Sequence, residues 1–173
     1  MNALPAATWR LFLGLWPTPE VREQLVAHAA GWRWTAGARR TGLERLHATL
    51  HFIGEVEVER IAALRQALDV PWPGCTLVLD RPQVWPGGIA VLEAGEVPPA
   101  LAQLHAQLAQ RLLASGLAVE TRRYRPHVTF ARKAQGSQPP APAAPIVWEL
   151  DRRYLLVRSL PGGRGYEAVQ VFG

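Results

Sequence analysis

Cysteine is nearly missing from this 173-residue chain. Cys75 stands alone, so no internal disulfide can form, and a four-thiolate zinc site is excluded. Lysine is nearly missing too: eighteen of the nineteen basic residues are arginine, and Lys133 is the exception. Acidic residues are in deficit, 14 against 19, which leaves a formal charge of +5. No uncharged run reaches the roughly 18 apolar residues of a membrane span. The longest, Ala134 to Trp148, is full of proline. The short apolar run Leu11 to Trp16 follows Arg10 and has no basic n-region, so it reads as a strand and not a signal peptide. A cytoplasmic, monomeric protein without a membrane partner fits these deficits.

What is present suffices for a core. Apolar residues make up 49% of the chain, and 173 residues suit one domain, 1–173, built of two lobes. The positive charge is unevenly placed. Glu120 to Lys133 holds Arg122, Arg123, Arg125, Arg132 and Lys133 against the single acid Glu120. A local basic segment on a near-neutral body suits an anionic ligand such as phosphate. The plain alternative is a solvated edge strand.

Short strands and three helices alternate without the regularity of a parallel sheet, which makes the fold class α+β. Trp9 to Trp16 is a buried strand closed by Pro17. Thr18 and Pro19 open a helix that Gly31 ends. Arg45 to Ile53 alternates polar and apolar, the pattern of a half-buried strand. Glu57 to Asp69 is a helix with Ile61, Leu64 and Leu68 inward. Thr76 to Val84 and Ile89 to Glu93 are strands around the turn Trp85 to Gly88. Leu101, Leu104, Leu108 and Leu112 mark a third helix, stopped by Ser115-Gly116. Arg125 to Ala131 is another strand. Ala134 to Pro145, with four prolines in twelve residues, is a surface loop. Ile146 to Leu150, Arg153 to Ser159 and Tyr166 to Phe172 are the closing strands.

Two of these strands repeat one pattern. Leu46-His47-Ala48-Thr49-Leu50 and Pro126-His127-Val128-Thr129-Phe130 each read His, apolar, Thr, large apolar. Side chains two apart on a strand share a face, so each strand offers an imidazole beside a hydroxyl. With five His and eight Thr in the chain, composition predicts ~0.2 His-x-Thr triplets, and two arise in about 2% of shuffled chains. A single copy is ordinarily a solvated histidine next to a good strand former. Two copies, eighty residues apart, point to two lobes facing each other across a cleft.

Such a pair suits phosphodiester cleavage. One imidazole takes a proton from the nucleophile and the other gives one to the leaving oxygen, both near neutral pH. The threonine hydroxyls can donate to the nonbridging oxygens, and a nearby arginine offsets the developing charge. The scheme needs no metal or cofactor. No His, Cys, Asp or Glu cluster has metal-ligand spacing, and Cys75 has no base near it in sequence. His51 shares the expected face of His47 and is read as supporting or exposed. His28 and His105 are read as structural or solvated. Phe12 is assigned to core packing, and Trp85 is the tryptophan expected at the cleft.

These residues resemble the two-histidine (2H) phosphoesterase superfamily, and within it the bacterial and archaeal RNA 2′,3′-cyclic phosphodiesterases, also called 2′-5′ RNA ligases. Arg10 to Pro17 resembles the family's opening strand. Leu46 to Gly54 and Arg125 to Arg132 resemble its two signature strands, and the Gly162 to Tyr166 stretch its tail. The resemblance implies two similar α+β lobes around a cleft, with His47 and His127 catalytic. It implies that Thr49, Thr129 and Arg132 bind the phosphate. Strict alternation puts Arg132 on the wrong face, so a bulge or the strand end must redirect it. The implied reaction opens a 2′,3′-cyclic phosphate on RNA to a 2′-phosphate, with His127 as base and His47 as acid. Joining of a 5′-hydroxyl end would be the reverse type of chemistry. Two alternatives stand beside it: a 2H enzyme for small cyclic nucleotides or an ADP-ribose cyclic phosphate, and a non-catalytic RNA-binding module.

Overall fold

The computed structural model describes residues 6–142 and 144–173. Among these residues, nine strands form one antiparallel sheet: β1 (Thr8–Leu15), β2 (Arg39–Arg40), β3 (Ala48–Glu57), β4 (Cys75–Trp85), β5 (Ile89–Ala94), β6 (His127–Arg132), β7 (Ile146–Leu150), β8 (Tyr154–Ser159) and β9 (Tyr166–Phe172). Three α-helices, α1 (Pro19–Ala30), α2 (Ile61–Ala67) and α3 (Pro99–Ala114), interrupt them. The strand order is β7-β4-β5-β6-β3-β1-β8-β9, with β2 on β6. The first four strands of that order come from the middle of the chain and the last four from its two ends. The halves meet where β6 pairs with β3 through Ala48 and Val128. This is the two-lobed α+β arrangement expected from the sequence.

Local chemistry explains the elements. The Thr18 hydroxyl accepts from the Val21 amide, and Pro19 fills the first turn of α1 where its missing N–H costs nothing. Leu101, Leu104, Leu108 and Leu112 of α3 are wholly buried. At about 1.5–3 kcal/mol for each side chain removed from water, this stripe alone holds α3 on the sheet. The same core takes Val21 and Leu25 from α1, Ile61 and Leu64 from α2, and inward strand residues such as Leu13, Leu79 and Val128. Gly87 and Gly88, both at positive φ (86° and 77°), close the β4–β5 hairpin.

The boundaries around β3 differ most from the periodicity. Arg45 lies in a 3-10 turn (Leu43–Arg45), and β3 starts only at Ala48. β3 then runs on to Glu57, because its partner β1 continues to Thr8 opposite it. The second helix is therefore only seven residues, after a 3-10 turn at Val58–Arg60.

One bulge changes the fate of His51. Gly14 pairs with Thr49 but Leu13 pairs with His51, so Leu50 is an extra residue in β3. Leu50 and His51 consequently both turn inward, each 3% exposed, and His51 does not share the face of His47. Its Nε2–H donates to the His105 carbonyl at 2.8 Å. Its ring stacks on His105 at 3.9 Å, and His105 stacks on Tyr124 at 3.9 Å. Burial, then the neighbouring His51, pushes His105 down to about 4. The unfolded chain therefore binds this proton first, and stability falls as pH drops from about 6.5 towards 4. A thermal-melt series should show Tm declining across that window. His105→Phe keeps the ring stack, removes that proton and makes the decline shallower; burial holds the other four histidines below the usual value too, and they keep the rest of it.

Candidate active site

The β3–β6 junction builds the site. Ala48 and Val128 face each other and are fully buried. Their neighbours in each chain must point the opposite way. The antiparallel register sets His47 across from Thr129 and Thr49 across from His127. All four line one cleft of about 240 Å³, with Arg132. The five residues singled out in the sequence are thus brought together.

Both imidazoles are held alike. His47 Nδ1–H donates to the Arg45 carbonyl at 2.6 Å, and His127 Nδ1–H donates to the Arg125 carbonyl at 2.6 Å. Each is a bond to the carbonyl two residues back. With Nδ1 committed as donor, Nε2 is the atom left to exchange a proton in the cleft. His47 Nε2 accepts from the Thr49 hydroxyl at 3.1 Å. Burial lowers both imidazoles below the usual histidine range, against the raising effect of the carbonyl bonds.

Their side walls differ. His47 stacks on Trp16 (4.7 Å, 6°), with Phe12 at 5.1 Å and Tyr166 edge-on at 5.5 Å. Phe12, expected in the core, is 5% exposed but packs against His47 on the cleft side, outside the core cluster. Nothing in the sequence spacing marks Trp16 and Tyr166 for this place. They reach His47 from beyond the end of β1 and from β9. His127 meets Trp85 at 4.4 Å. Trp85 is not open to the cleft, contrary to the expectation from its turn. It is held between His127 and the Arg125 guanidinium, which lies 4.4 Å over its ring. Its indole N–H donates to Glu93 at 3.3 Å.

A second bulge aims Arg132. Val91 pairs with Thr129 and Ala90 with Ala131, which leaves Phe130 as the extra residue in β6. Phe130 and Ala131 are both buried, and Arg132 returns to the cleft. The matching bulge at Leu50 brings Phe52 to the cleft in the other half, also five residues after its histidine.

The basic segment does not act as one patch. Arg122 pairs with Glu120 at 3.0 Å, and Arg125 clasps buried Glu93 through two nitrogens at 2.6 and 2.7 Å. From this run only Arg132 lines the cleft, and Arg10 and Arg45 join it from elsewhere. Thr41 and Ser159 add hydroxyls. A larger cavity, about 1050 Å³ around Trp72 and Arg65, contains no histidine. Among the described residues no three His, Cys, Asp or Glu side chains cluster as a metal site would need. No helix among them is long and apolar enough to cross a membrane.

A mixed α+β fold with an imidazole and a hydroxyl from each half facing one cleft defines a two-histidine phosphoesterase. The model of the 2′-5′ RNA ligase superfamily matches residues 18–160, and the chain belongs to that family. The RNA 2′,3′-cyclic phosphodiesterase of Escherichia coli (strain K12) is 34% identical over 127 residues, 72% of each chain. The crystal structure of E. coli LigT complexed with 3′-AMP is similar at a TM-score of 0.86 and 28% identity, covering 96% of this chain and 98% of that one. A Thermus thermophilus protein, TT0787, shares the fold at a TM-score of 0.72 and 23% identity, covering 94% of this chain and 96% of that one.

Glu93 sits across from His127 in the β5–β6 register, and its charge raises the His127 pKa. Glu93→Gln removes that charge and leaves Arg125 without its counter-ion. NMR titration of the imidazoles should then show His127 ionising at lower pH and His47 little moved.

Proposed function

We propose that this protein hydrolyses RNA 2′,3′-cyclic phosphate ends to 2′-phosphates. The observation that carries the reading is the pair of imidazoles, each clamped to a carbonyl through Nδ1, that line one cleft beside two threonine hydroxyls and an arginine. The E. coli relative is named for this activity, and LigT was crystallised with a nucleotide, 3′-AMP.

The steps follow from the groups present. Neutral His127 takes a proton from water at Nε2 as the water oxygen attacks phosphorus. The P–O3′ bond breaks, and protonated His47 gives its Nε2 proton to O3′. The product keeps the phosphate on O2′. Thr49 and Thr129 donate to the nonbridging oxygens, and Arg132 offsets their growing charge. The surroundings bear on this division. At His127 the charge of Glu93 favours the protonated form and those of Arg125 and Arg132 the neutral one. At His47 the face of Trp16 favours an imidazolium, while burial and the charge of His127 oppose it. A 5′-hydroxyl in place of water would run the same steps as ligation. The protein works as a monomer in the cytoplasm and without a cofactor in this reading.

A short RNA ending in a 2′,3′-cyclic phosphate, incubated in excess EDTA, tests the scheme. Wild type should release a 2′-phosphate end. His47→Ala and His127→Ala should each lower kcat by about 10²–10⁴, and Arg132→Met by about 10²–10³. Turnover of small cyclic nucleotides alone would favour the small-substrate reading. Full activity in both histidine variants would remove the mechanism.

A further inference from the structure

The two halves repeat more than His-x-Thr. Arg45 and Arg125 each stand two residues before their histidine, and each supplies the carbonyl that holds it. Their guanidinium groups have opposite fates. Arg125 is neutralised by Glu93, a buried carboxylate 6% exposed, at 2.6 and 2.7 Å. Arg45 lines the catalytic cleft, and its carboxylate contact is the exposed Glu44 at 3.3 Å. An exposed pair of that kind is worth little and yields readily to an incoming anion. One half of the cleft is therefore electrically closed and the other is open.

A second cavity lies on the open side. About 370 Å³ in volume, it adjoins the catalytic cleft, and Arg45 and Tyr166 line both. Its other walls include Trp16, Arg164 and Glu44. Arg164 is exposed, and its Nε donates to the Pro161 carbonyl at 3.0 Å. Tyr166 is 38% exposed.

In-line displacement decides what should lie there. The attacking water and the leaving O3′ occupy opposite apices of the phosphorus. The ribose that carries O3′ must lie on the side of the acid. With His47 as acid, the nucleotide body and the chain that precedes it leave over the half made of β3, β1, β8 and β9. We propose that the 370 Å³ cavity is a subsite for the nucleotide 5′ of the cyclic phosphate. Arg45 and Arg164 receive its internucleotide phosphate, and Trp16 and Tyr166 offer aromatic surface to its base. Glu44 is a carboxylate facing that anion, and it suits a ribose hydroxyl donor. Two guanidinium groups against one carboxylate keep the cavity positive. The substrate class is an RNA of at least two nucleotides, in preference to a cyclic mononucleotide. The inference rests on the phosphodiesterase reading and on its division of acid and base.

The test compares kcat/KM for a dinucleotide and a mononucleotide, each ending in a 2′,3′-cyclic phosphate, with wild type and Arg164→Ala. Wild type should favour the dinucleotide by about tenfold or more, with a salt slope steeper by about one. Arg164→Ala should collapse that preference towards one. Equal use of both substrates by wild type overturns the subsite, as does an equal loss on both in Arg164→Ala. Failure of wild type to open either one overturns the phosphodiesterase reading and the subsite with it.

Discussion

Everything in the cleft hangs on one cross-strand pair. β3 and β6 join the two halves of the sheet through Ala48 and Val128. Both side chains are small enough to let the strands meet, and both are wholly buried. Because strand side chains alternate, burying these two forces His47, Thr49, His127 and Thr129 to the opposite face together. A slip of one residue would send all four into the core and expose the apolar set. The hydrophobic core thereby fixes the catalytic register, and the site needs no further device to bring its four side chains together.

Symmetry supplies the frame, and departures from it supply direction. Two imidazoles with the same carbonyl clamp would be equivalent in identical surroundings. Trp16, Phe12 and Tyr166 surround one, while Trp85, Arg125 and Glu93 surround the other. Unequal surroundings are what allow one to hold a proton while its twin gives one up. The buried Glu93 matters twice: it acts on His127 through space, and it withdraws Arg125 from any ligand.

Much of this is legible in the residues because it follows from short-range periodicity. The period of two places His47 with Thr49 and His127 with Thr129. The leucines of α3 and the Thr18-Pro19 start of α1 lie within single turns. What stays hidden is tertiary. The Arg125–Glu93 pair spans 32 positions, so the charged run looks like a patch when its members are in fact parcelled out. Trp16 and Tyr166 converge on His47 from opposite ends of the chain. The two-residue β2 is too short to show a period. The bulge at Leu50 leaves no compositional mark, so strict alternation puts His51 on the wrong face. The bulge at Phe130 is demanded by the arginine it has to redirect.

Those two bulges bear on how the chain can change. Each sits directly after its threonine and reverses the facing of the residues that follow, in β6 to Arg132 and in β3 until a further bulge at Ile53 restores it. Straightening the ladder at Phe130 with the chain length unchanged would turn Arg132 into the apolar core. The bulge itself is therefore a constraint in its own right, apart from the identity of the residue that forms it.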